Sequence, residues 1–327
     1  MKLFKYLSLI VFSVLWVGSC HPDLRHLAYD WGWYADDYRY GDLYRLSSLS
    51  KFKEPTAVCT KLYKDSLKNN TALYLIGDSF TEPARINSDD FVAARYERVH
   101  WAESLVVELD THRRNVLILQ TVERSFRQHF EQPVRQIKFE KPNSNTIEKT
   151  ISKSWSKILE ESEEAITSVL FSNDFFLKIK EWKADFNLHY FARHNDQVAL
   201  SPDGRHILFC WDTDSTRLTS CFYPLPQAEL DQLIKVANQT RAFYLSKGFD
   251  EVYLSIIPNK TSIVAPNMGQ YNHLVERVQQ HPQLQLPTID VWKYFTENAQ
   301  SVYSKSDTHW NCHGQNYWVK QINKVLK

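Results

Sequence analysis

The sequence predicts a three-layer α/β fold in which helices flank both faces of a parallel sheet. Three short apolar runs, at residues 73–76, 116–120 and 252–257, lack the polar alternation of a half-exposed strand. Such runs are typical of parallel strands that are buried on both faces. Helical patterns alternate with them along the chain, which is characteristic of βαβ units. At 327 residues the chain has enough material for one large domain or two smaller ones.

The charge balance argues against nucleic acid as a partner. The chain carries 39 basic and 38 acidic residues, for a net charge of +1, so it has no basic excess to neutralise phosphates. Apolar residues make up 43% of the sequence, in agreement with a globular fold, and aromatic residues make up 14%. Aromatic side chains usually fill cores and interfaces, although a surplus is also compatible with surfaces that stack on sugars.

The N-terminus has the pattern of a secretory signal of the lipoprotein type. Two lysines precede an apolar stretch at residues 6–17, and the sequence VGSC occupies residues 17–20. This tetrapeptide resembles the bacterial lipobox, in which the cysteine is lipidated and becomes the first mature residue. We expect residues 1–19 to be a signal peptide and Cys20 to anchor a bacterial lipoprotein in the cell envelope, either periplasmic or attached to the outer membrane. The alternative, an uncleaved signal anchor, needs about 20 apolar residues, and this stretch is shorter.

An aromatic-rich arm is predicted at residues 20–69, where Trp, Tyr and Asp are frequent and little periodicity is present. Such segments usually cover apolar surface. The alternative is a surface that contacts glycans.

The cysteines leave their pairing open. If Cys20 is lipidated, four cysteines remain in a compartment that permits disulfides, and three pairings of them exist. Cys210 and Cys221 lie on one predicted hairpin, but its turn would place Cys210 opposite Arg217, which does not favour a direct bond. Cys312 is expected in packing or in a disulfide, because no compact Cys/His cluster indicates a metal site.

The α/β domain is expected to span residues 70–327, beginning with the strand at residues 73–76. A helix is predicted around residues 100–109, before the strand at 116–120. A polar break then begins an insertion at about residues 141–225. Within it, apolar residues recur at helical spacing from Ile151 to Leu170, and hairpins are predicted between residues 186 and 223, with turns at 201–204 and 212–215.

The second half of the domain repeats the alternation of helices and strands. A helix at residues 230–244 is expected to end at Gly248, a predicted C-cap, before the strand at 252–257. A helix at residues 271–278 and a strand at 289–291 add another unit. The closing helix has apolar residues at spacing i, i+4, i+7 and i+8, which predicts one buried face: Trp318, Ile322, Val325 and Leu326.

Ser79, His309 and Asp307 are the candidate catalytic residues. A serine hydroxyl is a poor nucleophile at neutral pH unless an imidazole accepts its proton, and the imidazole needs an acceptor that fixes its tautomer. Ser79 follows a predicted strand, so it faces the edge where the carboxyl ends of strands meet. The structural alternatives are a serine that caps a helix and a buried histidine. The joint presence of all three residues favours catalysis.

We also expect roles for two residues next to the candidate triad, and we exclude a second Asp-x-His pair. Asp78 is expected to accept hydrogen bonds that fix the serine loop, and Trp310 to close a wall of the site. Asp110 and His112 repeat the Asp-x-His pattern, but they precede the strand at residues 116–120 and therefore belong to the opposite edge of the sheet. We exclude them for that reason.

Four motifs in this order resemble the SGNH hydrolase superfamily, and within it the alginate O-acetyltransferase-like branch, also called the DHHW group. They are the segments LYLIGDSFTEP around Ser79, the strand that ends in Glu123-Arg124, the segment Pro258-Asn259-Lys260, and KSDTHWNCHG around His309. The likeness covers residues 70–130 and 227–327. It implies an SGNH/flavodoxin-like fold, with the helix and β-hairpin insertion as an addition.

The chain departs from this branch in two respects. The serine precedes the Asp-x-His-Trp segment, as in ordinary SGNH hydrolases, whereas in the alginate acetyltransferases it follows. The glycine and asparagine that form the oxyanion hole of ordinary SGNH enzymes have no obvious counterpart. The Ser79 amide, at a predicted helix start, is therefore expected to act with an unidentified donor.

The resemblance implies O-acetylation of an exported or envelope polysaccharide, with the acetyl group relayed by a membrane-bound acyltransferase. Glu123 and Arg124 would lie near the site, where they bind substrate, supply positive charge to the oxyanion or form a salt bridge. Asn259 and Lys260 either contact the acyl donor or glycan or belong to a surface loop. No cofactor or metal is expected. The alternatives are an esterase and a non-catalytic glycan-binding lipoprotein of the envelope.

Overall fold

A computed structural model describes residues 2–20, 37–139 and 174–327. The strands are β1 Asn69–Gly77, β2 Ala93–His100, β3 Leu105–Val106, β4 Arg114–Val122, β5 Ile137–Lys138, β6 Val198–Leu200, β7 Ile207–Phe209 and β8 Glu251–Ile257. The helices are α1 Lys2–Cys20, α2 Asp42–Ser47, α3 Glu123–His129, α4 Asp174–Phe191, α5 Cys210–Thr213, α6 Gln227–Ser246, α7 Lys260–Val264, α8 Leu274–Gln279, α9 Trp292–Glu297 and α10 Cys312–Leu326. Within these ranges, none of the helices has the length and apolar character needed to span a bilayer.

The central sheet has four parallel strands in the order β2-β1-β4-β8. Tyr74 of β1 pairs with Leu117 of β4, and Leu117 in turn pairs with Val252 of β8. The carboxyl ends of these three parallel strands therefore lie at the same edge of the sheet. The chain passes from β1 outward to β2 and then returns to β4 on the other side of β1. Ligands of open α/β sheets bind at the carboxyl edge where the strand order reverses, which here is between β1 and β4.

Helices cover both faces of this sheet, which confirms the predicted α/β class. Side chains alternate along β1, so Tyr74 and Ile76 face a core that includes α6 and α8, whereas Leu73 and Leu75 face a core that includes α10. Burial on both faces explains why β1, β4 and β8 read as unbroken apolar runs. The predicted terminal helix is also confirmed, with Trp318 and Ile322 fully buried.

The helix predicted at residues 100–109 is wrong. The chain instead forms β2, which ends at His100, and then the short strand β3, which pairs with β5. β2 has the sequence AARYERVH and lies at the edge of the sheet, where charged side chains are common. Its polar residues hide the strand pattern from a search for apolar runs.

The insertion follows its prediction in part. The hairpin with a turn at residues 201–204 is confirmed as β6 and β7, whereas the turn predicted at 212–215 is wrong, because Cys210 begins the short helix α5 and so does not face Arg217 across a hairpin. The helix α4 was not predicted. The helix predicted from Ile151 to Leu170 lies outside the described residues.

In the second half of the domain, one helix and one strand are shorter than predicted, and one predicted helix end is confirmed. The helix expected from residue 271 begins at Leu274, and the strand expected at residues 289–291 is reduced to one bridge between Leu254 and Thr288. Gly248 follows α6 with a positive φ of 100°. This left-handed conformation favours glycine and confirms the predicted helix end.

The described part of the arm packs against the insertion and is tied to the last helix. Leu43, Leu49 and Phe52 form a small core with Val198 and Ile207 of the hairpin. A disulfide joins Cys59 to Cys312, across 253 positions of sequence, whereas Cys210 and Cys221 are free thiols. The arm is thereby fastened to the first residue of α10.

Replacing Cys59 and Cys312 together by serine is expected to lower the free energy of unfolding by about 2–5 kcal/mol, because the crosslink restricts the unfolded chain over a long loop. Urea unfolding of both proteins measures the difference. The control is Cys210→Ser, which removes a free thiol and should change the value by less than about 0.5 kcal/mol. Equal stabilities of the wild type and the double variant would contradict a role for this disulfide in holding the arm.

Candidate active site

Ser79 lies at the carboxyl end of β1, where the strand gives way to a short 3-10 turn, Ser79–Thr81. The turn is tight enough to require glycine at position 77. A Cβ atom on Gly77 would lie 2.2 Å from Thr81 Oγ1 and 2.9 Å from Gln120 Oε1. The Ser79 side chain remains partly exposed, at the edge where the strand order reverses.

Asp78 fixes this turn through hydrogen bonds. Its Oδ1 accepts from the Phe80 amide and from Gln120 Nε2, both at 3.0 Å, and its Oδ2 accepts from the Val122 amide at 2.6 Å. The Asp78 amide donates to Gln120 Oε1 at 3.0 Å. Asp78 is therefore placed as a loop-fixing acceptor. Its partner Gln120, which is fully buried, was not singled out from the sequence, although a glutamine that ends the apolar run at residues 116–120 was a signal for it.

His309 connects Ser79 to Asp307. The Ser79 Oγ lies 2.8 Å from His309 Nε2, and His309 Nδ1 lies 2.6 Å from Asp307 Oδ1. Burial raises the pKa of Asp307, but the hydrogen bond and charge of His309, together with Arg85, outweigh burial and hold this pKa well below its usual range. An ionised Asp307 accepts a hydrogen bond from Nδ1–H, which fixes the tautomer and leaves Nε2 free to accept the proton of Ser79.

Aromatic side chains and α10 hold the imidazole in place. The Phe80 ring lies 4.6 Å from the His309 ring and packs edge-on against Trp310 at 5.1 Å. Trp310 is buried and contacts Trp318 of α10. Asn311 caps α10 by accepting from the amides of the next turn. The base therefore stands directly before an anchored helix, and Trp310 lies in the wall behind it.

The arm contributes a second carboxylate, which was not found from the sequence. The Thr308 amide donates to Asp42 Oδ1 at 2.8 Å, and Asp42 Oδ2 lies 3.9 Å from His309 Nδ1. Gly41, at φ 94°, lets the arm approach this closely, because a Cβ atom there would lie 2.5 Å from Ser306 O. Contacts between residues so far apart in sequence have no local signature.

Asp42, Asp307 and His309 are also the described residues that are close enough to form a metal site. One ligand atom from each lies within 4.8 Å of the others. However, Asp307 Oδ1 accepts from the His309 ring and amide, and both Asp42 oxygens accept from Thr308. Since these lone pairs already have protein donors, the arrangement fits an imidazole oriented by carboxylates better than a set of metal ligands.

Glu123 and Asn259 lock the ends of β4 and β8 together. The Asn259 amide donates to Glu123 Oε2 at 2.8 Å, and Asn259 Oδ1 accepts from the Arg124 amide at 3.0 Å. Ser262 and Tyr271 also donate to Glu123. Both Glu123 and Asn259 are buried, so these side chains join loops of the sheet edge and do not reach solvent.

The Arg124 side chain points to the insertion. Its Nη1 lies 3.3 Å from Asp212 Oδ1, and its guanidinium lies over the ring of Phe209. Asp212 is buried, and burial raises its pKa to about 6. Of the three roles considered for Arg124, the salt bridge is the one that these contacts supply.

Lys260 is buried and holds backbone carbonyls together. Its Nζ donates to Ile207 O at 2.7 Å, to Lys305 O at 2.9 Å and to Asp307 O at 3.0 Å. These bonds use all three ammonium protons, so this placement favours a structural role over contact with a donor or glycan. Burial lowers the pKa of Lys260 to about 7.

The serine turn offers one amide for an oxyanion. The amides of Phe80 and Thr81 already donate to the carboxylate and carbonyl of Asp78. Across the described ranges, the Ser79 amide has no protein acceptor. Arg98 is nearby, but its Nη2 donates to Asp78 O at 2.7 Å. The turn thus presents a hydroxyl and one amide at the edge where His309 lies.

The excluded pair, Asp110 and His112, lies at the other edge. Asp110 Oδ1 accepts from the His112 amide at 2.9 Å directly before β4 begins at Arg114. Because the strands are parallel, this position is a strand length away from the carboxyl edge.

Comparison with known proteins adds no family: no family model, curated protein or solved structure matches this chain. The function of the site must therefore be argued from its geometry and from the resemblance of its motifs.

Changing Glu123 to glutamine is expected to alter how stability depends on pH. Burial raises the pKa of Glu123 from 4.5 to about 7, despite the hydrogen bonds donated by Ser262, Asn259 and Tyr271. The folded protein therefore holds a proton that the unfolded chain releases, and this stabilisation is present below pH 4.5 and is lost as the pH rises to 7.

Relative to Glu123→Gln, the wild type should lose up to about 3 kcal/mol of stability between these limits. Urea unfolding at several pH values across the window tests this expectation. A difference between the two proteins that stays constant over the window would contradict it.

Proposed function

We propose that this protein is an SGNH-like O-acyltransferase that moves an acyl group, with acetyl as the expected one, onto an envelope or exported polysaccharide through a covalent acyl-serine. The observation that carries the proposal is the continuous contact from Ser79 Oγ to His309 Nε2 and from His309 Nδ1 to Asp307. A serine, a base and an orienting carboxylate in this order form an activated nucleophile.

In the first half-reaction, His309 Nε2 accepts the proton of Ser79 as Oγ attacks the acyl carbonyl. The negative charge that develops on the carbonyl oxygen is stabilised by the Ser79 amide. His309 then returns the proton to the leaving group, and the acyl group remains on Ser79 as an ester. In the second half-reaction, His309 deprotonates an acceptor hydroxyl, which attacks this ester, and the proton returns to Ser79.

The resemblance to the alginate acetyltransferase branch suggests a sugar hydroxyl as the acceptor and a membrane-bound acyltransferase as the source of the acyl group. A lipid anchor at Cys20 would hold the protein beside such a partner. The disulfide between Cys59 and Cys312 supports a location outside the cytoplasm, because disulfides persist in oxidising compartments.

Ester hydrolysis is the second candidate, and the partly exposed Ser79 favours it, since water has access to an acyl group on that residue. A non-catalytic glycan-binding lipoprotein is the third interpretation. It draws on the aromatic arm and on the serine turn, where the Phe80 and Thr81 amides are engaged and, of that turn, the Ser79 amide alone is left for an oxyanion.

Hydrolysis of p-nitrophenyl acetate separates an enzyme from a binding protein. Ser79→Ala is expected to lower kcat/KM on the order of a thousandfold or more, because the nucleophile is lost. Ser88→Ala is the matched control, since Ser88 is an exposed serine that begins another short turn. Equal rates for the wild type and Ser79→Ala would contradict catalysis by this serine.

Adding an acceptor separates a transferase from an esterase. With p-nitrophenyl acetate as donor, we expect an oligosaccharide acceptor to gain acetyl groups in a reaction that needs Ser79, which mass spectrometry detects. The wild type should also release less free acetate as acceptor is added, because sugar and water compete for one acyl-serine. Release of acetate alone, over a panel of neutral and uronic acid oligosaccharides, would favour the esterase.

A further inference from the structure

The carboxylate of Asp42 stands beside the base although it comes from the arm. Its Oδ2 lies 3.9 Å from His309 Nδ1, on the side of the ring that faces Asp307. The approach is built by neighbouring residues: the Tyr44 amide donates to Ser306 O at 2.9 Å, and Ser306 Oγ donates to Tyr40 O at 2.7 Å. The arm is thus bonded to the residues that directly precede Asp307.

Asp42 holds the segment from Asp307 to His309 at several points. The Thr308 amide donates to Asp42 Oδ1 at 2.8 Å, and the Thr308 hydroxyl donates to Asp42 Oδ2. In return, the Asp42 amide donates to Asp307 Oδ2 at 3.4 Å. Each of the two aspartates therefore limits the movement of the other. The side chain of Asp42 is 25% exposed, whereas that of Asp307 is 4% exposed.

The charged groups around His309 determine how well its imidazolium form is stabilised. Asp307 and Asp42 face His309 with carboxylates, and Arg85 faces it with positive charge, since its Nη2 lies 3.3 Å from Nδ1. Burial and the charge of Asp307 raise the pKa of Asp42, whereas His309 and the hydrogen bonds from Thr308 act in the opposite direction and favour its ionised form. The Lys260 ammonium group donates to the backbone carbonyl of Asp307. Without Asp42, the charge of Arg85 would offset that of Asp307, and the imidazolium that forms during proton transfer would lose net stabilisation.

We propose that Asp42 is a positioning residue of the catalytic triad, which holds the Asp307–His309 segment and adds the negative charge that offsets Arg85. This inference rests on the proposed function, because it assumes that His309 carries a proton during the reaction. It makes the arm a part of the active site and not only a cover of apolar surface.

The test uses p-nitrophenyl acetate hydrolysis by the full chain. Asp42→Asn keeps the shape of the side chain and removes its charge. We expect kcat to fall about tenfold to a hundredfold with KM changed less than about twofold, since the loss concerns the transition state. The acid limb of kcat/KM should move to lower pH by roughly half a unit to one unit, because a positively charged base is then less favoured.

Two variants separate charge from general damage. Asp42→Glu keeps the charge, so its acid limb should stay at the wild-type pH even if kcat falls. Asp65→Asn removes the charge of an exposed carboxylate elsewhere in the arm and should change neither kcat nor the pH profile. An acid limb that shifts equally in Asp42→Glu and Asp42→Asn would overturn the inference.

Thr308→Val provides the test if Asp42→Asn does not fold. It removes the hydroxyl that donates to Asp42 without changing any charge, and it should lower kcat about threefold to tenfold with an unmoved acid limb. An unchanged kcat would overturn the inference, as would a wild-type kcat and pH profile in folded Asp42→Asn. If Ser79→Ala hydrolyses the ester as fast as the wild type, the proposed function itself fails, which is a different result.

Discussion

The contact between Ser79 and His309 joins residues that are 230 positions apart, and the rest of the site depends on it. It forms because β1 ends and α10 begins at the same edge of one sheet. The residues of β1 that face α10 share a core with Trp318 and Ile322 of that helix, so the packing of the helix sets the position of the base. Hydrophobic packing between β1 and α10 thereby fixes the distance between Ser79 Oγ and His309 Nε2.

Buried hydrogen bonds hold the remaining parts of this edge. Asp78 and Gln120 bind each other reciprocally, and the Asn259 amide donates to Glu123 while the Asn259 side chain accepts from the Arg124 amide. The Lys260 ammonium group donates to three backbone carbonyls. Groups of this kind are costly to bury unless every partner is present, but when paired they specify one arrangement of the loops. These hydrogen bonds hold the loops at the carboxyl edge of the sheet, and Ser79 is partly exposed among them. Rigidity matters here because a nucleophile and its base must stay within hydrogen-bond reach.

The sequence predicts the parts of the fold whose signals are local. β1, β4 and β8 are buried on both faces, so they appear as apolar runs, and α6 is followed by Gly248, whose positive φ favours glycine. β2 escaped prediction because an edge strand carries charges. The pairing of Asp307 with His309 could be predicted because a single residue separates them, and Ser79 because it follows a recognisable strand.

Other parts depend on distant partners and could not be predicted in the same way. Asp42 acts through Gly41, which allows a close approach to Ser306 that no local pattern encodes. Lys260 was assigned to a surface loop or a ligand contact, since nothing nearby in sequence shows that three carbonyls surround its ammonium group. The pairing of Cys59 with Cys312 likewise required the arm to be placed against α10.

The most direct test of an activated serine is its reaction with a fluorophosphonate probe, followed by intact mass measurement and peptide mapping. We predict one adduct on the wild type, located on Ser79, and no adduct on His309→Ala under the same conditions, because the hydroxyl then lacks its base. A wild type that remains unlabelled, or one labelled equally with and without His309, would contradict the activation of Ser79 by this imidazole.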